Sequence, residues 1–285
     1  MQKLNLLFMT SRPLSWVNTA YPFAAGYLML GGGIDVRLVI GTLFFLIPYN
    51  LLMYGINDVF DYESDIRNPR KGGVEGAVTP KKYHSLIVWS SIISVIPFLA
   101  YLMLSGSVLS AVTLVLVMFF VVAYSAKYLR FKEIPFLDSV TSSIHFVGPL
   151  VYAYTLVGAN DPAWVIALAF FAWGIASQAF GAVQDVIPDR EASIHSIATV
   201  MGARFTVLFA LTLYAIAAVL VALLGGYGLV AAVAALLYVA NVAPFVAVTD
   251  ETSAATRAGW KRFLWINYLT GAIITMCLVA ISLSV

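Results

Sequence analysis

Charge is scarce in this chain. Only 11% of its 285 residues are Asp, Glu, Lys or Arg, whereas soluble domains carry roughly 25%. Hydrophobic residues make up 61%, more than a water-soluble fold could bury, so the solvent must be largely lipid. A net charge of +2 is too small to point to nucleic acid. Cysteine is nearly absent. Cys277, inside the last apolar run, is the single thiol, which excludes an intrachain disulfide and leaves the redox compartment unread. An A-x-A cleavage pattern is also missing near the N-terminus, so the first apolar run reads as a retained span and not a signal peptide.

What is there is a series of apolar runs. A span needs about 20 apolar residues, and nine stretches qualify: about 14–30, 36–56, 84–104, 107–125, 135–157, 162–184, 204–224, 226–248 and 263–284. The sequence therefore predicts an all-α integral membrane protein, a single domain of about nine helices over 1–285. Connections after the odd spans are tiny, and those after the even spans are longer and charged. Lysine and arginine follow the same alternation. Fifteen of the sixteen fall at the N-terminus or in the even connections, and only Arg37 falls on the other side. Positive residues mark the cytoplasmic side. The expectation is a multi-pass plasma-membrane protein with a cytoplasmic N-terminus and an outside C-terminus.

Acidic residues are concentrated rather than scattered. "NDVFDYESD", Asn57 to Asp65, follows the second span, and "QDVIPD", Gln184 to Asp189, ends the sixth. Each reads carboxamide, Asp-Val, then a second Asp, four spans apart. On a helix continuing from the second span, Asp58, Asp61 and Asp65 stand at i, i+3 and i+7 and share a face, with Asn50, Tyr54 and Asn57 extending it inward. Asp185 and Asp189 stand at i and i+4, with Gln178 continuing inward. Carboxylates this close repel unless a cation sits between them. An oxygen-only set, with no Cys and no paired His, suits Mg²⁺ or Mn²⁺ over zinc. Mg²⁺ takes one or two carboxylates and fills its shell with substrate phosphate oxygens. Arg67, Arg70, Lys71, Lys127, Arg130 and Lys132, on the same side, are candidates to complete a diphosphate site.

These residues resemble the UbiA intramembrane prenyltransferases. "NDVFDYESD" fits that family's N-D-x-x-D-x-x-x-D motif and "DVIPD" its second D-x-x-x-D motif. The resemblance implies a helical bundle with a cytoplasmic Mg²⁺–isoprenyl-diphosphate site and transfer of the isoprenyl group to an aromatic or polyene acceptor. It makes Asn57, Asp58, Asp61 and Asp65 first-motif residues holding metal and diphosphate, and Asp185 and Asp189 their second-motif partners. "YSAKYLRFK" stands where the family has a Tyr-and-Lys segment, so Tyr124 joins Lys127, Arg130 and Lys132 as candidates; Tyr128 and Lys132 have the same Tyr-x-x-x-Lys spacing. Two departures are Ser193 where a glycine usually follows the second motif, and "RNPRKGG" after the first.

Within the family, "SRPLSWVNTAYPFAAGYL" and "YGINDVFDYESDIRNPRK" look most like the lycopene elongases. That resemblance implies dimethylallyl diphosphate as donor and lycopene, delivered from the surrounding lipid, as acceptor. The alternatives are an aromatic quinone or tetrapyrrole precursor as acceptor, and, from a different class, a transporter. A transport pathway needs polar steps across the whole membrane depth, whereas the ionisable residues here gather at one face.

Overall fold

The computed structural model describes residues 2–66 and 78–284, with the side chains of Gln2, Ser64 and Asp65 outside the description. Every regular element among the described residues is helical. The chain divides into two compact units, 1–131 with 145–159, and 132–144 with 160–285.

The first unit contains α1 (Gln2–Thr10), α2 (Val17–Met29), α3 (Val36–Leu46), α4 (Pro48–Phe60), α5 (Tyr62–Asp65), α6 (His84–Leu104), α7 (Val108–Ser125) and the second part of α8 (Leu137–Val157). Its core is aromatic. Phe23, Phe44, Phe45, Tyr49 and Tyr152 are fully buried, with the rings of Phe44 and Phe45 4.9 Å apart and those of Phe23 and Phe45 5.2 Å apart. Gly41 makes this packing feasible, since a Cβ there would run into the Phe23 ring. Asp35 caps α3 by accepting the Leu38 N–H at 2.9 Å, and Ser107 caps α7 through the Ser110 N–H at 3.2 Å.

The second span is two helices joined at a bend. Pro48 has no N–H to continue α3, so carbonyls of its last turn lose their helical donor. Asn50 supplies side-chain donors at the same break. Its Nδ2 donates to Phe45 O at 2.8 Å, Leu46 O at 3.1 Å and Thr19 Oγ1 at 2.7 Å. Asn50 therefore holds the bend instead of extending the acidic face into the membrane.

The second unit contains the start of α8, then α9 (Asp161–Val183), α10 (Val186–Glu191), α11 (Ile197–Met201), α12 (Ala203–Ala222), α13 (Tyr227–Val242) and α14 (Arg257–Ser284). Small residues let α9 and α12 approach closely: Ala172, Ala176 and Ala179 on one, Ala210, Ala217 and Ala218 on the other, all buried. Tyr214 and Tyr238 stack at 5.2 Å, and Trp173, Phe263 and Trp260 form a second stack.

Among the described residues eight helical stretches are long and apolar enough to cross a membrane, from Val36–Phe60 to Ser253–Ser284. They match eight of the nine expected spans. The remaining one, about 14–30, is the 13-residue α2, which Arg12, in a left-handed conformation with φ of 50°, separates from α1. At 1.5 Å per residue, 13 residues rise only about 20 Å.

Candidate active site

α4 carries the first motif out of the membrane-length stretch. Asp58 lies two residues before its end, and Asp61 is the residue at which the helix stops, still donating its N–H to Asn57 O at 2.9 Å. The sequence predicted one helix through Asp65. The backbone instead breaks at Asp61, φ −96° and ψ 0°, and restarts as α5, which Asp65 ends. Arg67, Arg70 and Lys71 lie outside the described residues, as does the side chain of Asp65.

Asp58 and Asp61 are only 2% and 5% exposed. Two such carboxylates demand opposite charge. Arg12 Nη2 donates to Asp58 Oδ1 at 2.8 Å while its guanidinium lies 4.2 Å over the Tyr54 ring, and an Arg130 amino group is 3.6 Å from Asp61 Oδ1. Both arginines have a positive φ, 50° and 41°. Non-glycine residues rarely adopt that conformation, and here it turns the two guanidinium groups to the motif. Asn57 Nδ2 donates to Ser125 Oγ at 2.9 Å, which ties α4 to the end of α7. Asn57, Asp58 and Asp61 thus form a single cluster with Arg12, Ser125 and Arg130 within the first unit.

The Tyr-and-Lys segment separates by exposure. Tyr124 is half-buried, its ring edge-on to His145 at 5.0 Å. Lys127 is exposed with its ammonium 5.1 Å over Tyr128, itself 89% exposed. Lys132 belongs to the second unit. His145 is buried, its Nε2 3.4 Å from Phe120 O, and its carbonyl accepts from the Tyr49 hydroxyl at 2.8 Å. These two contacts join α8 to α7 and α4.

In the second unit α9 stops at Val183. Asp185 is the N-terminal flanking residue of the six-residue α10, and Asp189 lies one turn on, donating its N–H to Asp185 O at 2.9 Å. The two carboxylates therefore keep the one-turn spacing read from the sequence. Gln178 accepts a hydrogen bond from Ser142 Oγ at 3.0 Å.

Two further acidic residues frame this segment. Buried Asp138, at the start of α8, accepts the Ser139 N–H at 2.7 Å and the Ile197 N–H at 2.9 Å. Asp250, in the connection before α14, accepts the Ala203 N–H at 2.7 Å and is bonded by Arg190 Nη1 at 2.6 Å. The Ala203 N–H and the Arg190 guanidinium hold the Asp250 carboxyl below the usual carboxylate range. From its position alone Asp138 reads as either a lid contact or an interface residue, and Asp250 carries no signal. The partners of Asp250 lie 47 and 60 positions away, beyond any local pattern.

The donor set fits a hard divalent cation. Every candidate ligand is an oxygen, and the Arg12 and Arg130 guanidinium groups beside Asp58 and Asp61 are shaped to take phosphate oxygens. Among the described residues no three His, Cys, Asp or Glu side chains already converge as a metal centre. An ion that takes one or two carboxylates and draws its remaining ligands from a phosphate has no need of such a centre.

The sequence matches the UbiA prenyltransferase family over residues 19–268. It is 52% identical over 283 residues to a lycopene elongase/hydratase of Corynebacterium glutamicum, covering 99% of both chains. It is also 54% identical over 275 residues to the C(50) beta-cyclic carotenoids biosynthesis protein LbtBC of Dietzia, covering 95% of this chain and 64% of that one. The fold is similar to that of a UbiA homolog from Archaeoglobus fulgidus solved with GPP and Mg²⁺, with a TM-score of 0.67 at 19% identity, covering 98% of this chain and all of the other. The same homolog solved with DMAPP and Mg²⁺ gives a TM-score of 0.64 at 18% identity, over 94% and 99% of the two chains.

Proposed function

The chain belongs to the UbiA prenyltransferase family, and from that premise we propose that it transfers dimethylallyl groups from dimethylallyl diphosphate to the two ends of lycopene. The observation that carries the reading is the pair Asp58 and Asp61, buried one turn apart at the end of a membrane-length stretch, each faced by an arginine. Such a pair serves a cation and an anionic phosphate together while the hydrocarbon part of the substrate stays in apolar surroundings. The relatives' names support a carotenoid acceptor, and the Mg²⁺ and prenyl diphosphates bound to the structural neighbours support the donor class.

On this reading Asp58, Asp61, Asp65, Asp185 and Asp189 are the candidate ligands of Mg²⁺, or of Mn²⁺, with Asn57 beside them. The bound ion would neutralise charge on the leaving diphosphate. Arg12, Arg130 and Lys127 receive phosphate oxygens, with Arg67, Arg70, Lys71 and Lys132 as further candidates. The donor's C–O bond breaks with its electron pair left on the diphosphate. The terminal alkene of lycopene then attacks the allylic carbon, and the resulting tertiary cation loses a proton or takes up water. Apolar spans keep bulk water from the cation, and Tyr54 and Tyr124 offer it π faces. The chain acts as a single catalytic domain in the plasma membrane, with its N-terminus and both motifs on the cytoplasmic side and its C-terminus outside.

Isolated membranes supplied with labelled dimethylallyl diphosphate and either lycopene or aromatic acids test this reading. The expected outcome is Mg²⁺-dependent release of diphosphate, with no ion gradient present, and label in the lycopene fraction. Label on an aromatic acid alone would replace the acceptor. No diphosphate release at all would remove the enzyme reading.

A further inference from the structure

Asp185 and Asp189 stand on a very short helix. The six residues of α10 are too few to hold a helix by their own hydrogen bonds, and α9 has already ended at Val183. The Asp185 N–H donates to Ala182 O at 3.1 Å and ties the near end of the turn to α9; the far end is tied from outside the motif. Arg190, next to Asp189, supplies the connection. Its Nε donates to Thr199 O at 2.8 Å and its Nη1 to Asp250 Oδ2 at 2.6 Å. The other oxygen of Asp250 accepts the Ala203 N–H at 2.7 Å, at the N-terminus of α12, where a negative charge also meets the positive end of the helix dipole. Gly202 has no side chain to cap that helix and has a φ of 84°. A Cβ on it would lie 3.2 Å from Asp250 Oδ1, so the glycine leaves room for the carboxylate. One carboxylate thus joins the motif-bearing turn to a 20-residue membrane helix.

The ion pair is too exposed to contribute much to stability: its side chains are 42% and 32% accessible. Its geometry is nonetheless specific, with one guanidinium divided between two acceptors and one carboxylate between two donors. That combination suits a device that fixes position.

We propose that Asp250 is a positioning residue for the second aspartate motif, setting through Arg190 where Asp185 and Asp189 stand to receive the divalent cation and diphosphate. The proposal rests on the metal–diphosphate reading above.

Asp250→Asn tests it in the full-length, detergent-solubilised protein. Asparagine keeps an oxygen for the Ala203 N–H but sets an amide NH₂ against Arg190. Binding of Mn²⁺ in the presence of inorganic diphosphate, read by electron paramagnetic resonance, is expected to weaken about tenfold with unchanged stoichiometry. In the transfer assay the half-saturating Mg²⁺ should rise by a similar factor, with the rate at saturating Mg²⁺ within about twofold of the parent. A merely structural role would lower the yield of folded protein and leave both half-saturation points in place, and that result overturns the proposal. If Asp250→Asn does not accumulate, Arg190→Gln breaks the same pair while Asp250 still caps α12, and unchanged Mn²⁺ binding there overturns the proposal equally. A parent protein that binds no Mn²⁺ with diphosphate overturns the metal–diphosphate reading itself, and this proposal with it.

Discussion

Asp58 is where opposing electrostatic demands meet. Its carboxylate is almost fully buried, and the Arg12 guanidinium 2.8 Å away neutralises it. A buried ion pair of this kind is weak evidence for stability, because desolvation offsets much of the attraction. On the proposed function, its value is that Arg12 already stands beside Asp58 when a phosphate arrives. Asp58→Ala is therefore expected to reduce prenyl transfer at least about a hundredfold, the scale of losing one preorganised charge contact. Asp58→Asn should do nearly as much damage, since it keeps the shape but not the charge. Product formation over a Mg²⁺ titration checks both, with membrane insertion measured in parallel. Near-normal turnover by either variant would separate Asp58 from the metal site. The motif's aspartates are legible in the sequence because their spacing is local. Arg12 is legible only as a charged residue at a span end, because its partner lies 46 positions away.

At the scale of elements, polar side chains in the spans serve two different ends. Asn50 and Asn57 stand seven residues apart on α4 and look alike in sequence, both continuing the acidic face inward. The structure separates them. Asn57 joins α4 to Ser125 beside the aspartates, while Asn50 satisfies carbonyls at the bend that Pro48 creates. Asn50→Leu should accordingly cost about 0.6 to 2 kcal/mol of stability, the range for hydrogen bonds within membranes. It should lower the thermal midpoint of the solubilised protein but leave the Mg²⁺ requirement of transfer unchanged. A shifted Mg²⁺ requirement would place Asn50 in the site after all. Periodicity cannot draw this distinction, because it presumes an unbroken helix. A proline bend rotates the segment before it relative to the segment after it, and the break at Asp61 does the same to Asp65. Helix existence and type are readable from apolar runs alone, and among the described residues eight of nine spans appear as membrane-length helical stretches, the second of them bent. The exception, α2, falls short because the start of its apolar run, Pro13–Ser15, is a separate 3-10 turn and the helix begins only at Val17.

For the molecule as a whole, the charge distribution makes a topological claim. Fifteen of the sixteen basic residues fall at the N-terminus or in the connections after even spans, so single cysteines introduced near Lys81 and near Arg190 should both label from the cytoplasm, and one near Asp161 from outside. The native Cys277 is buried and can be replaced by serine beforehand. Labelling of the first two from opposite faces would contradict the orientation proposed for the two motifs. The acceptor is legible only through resemblance. The composition declares an apolar interior, and nothing in spacing or charge distinguishes a polyene from another hydrocarbon. Mass spectrometry of the carotenoids made when the chain is expressed in a lycopene-producing host decides whether lycopene is the acceptor. The expected products are one and two five-carbon units heavier than lycopene, hydrated or not. Their colour should differ little, since reaction at the terminal alkenes leaves the conjugated chain intact. Lycopene mass alone, with the protein in the membrane and dimethylallyl diphosphate supplied, would contradict the proposed transfer.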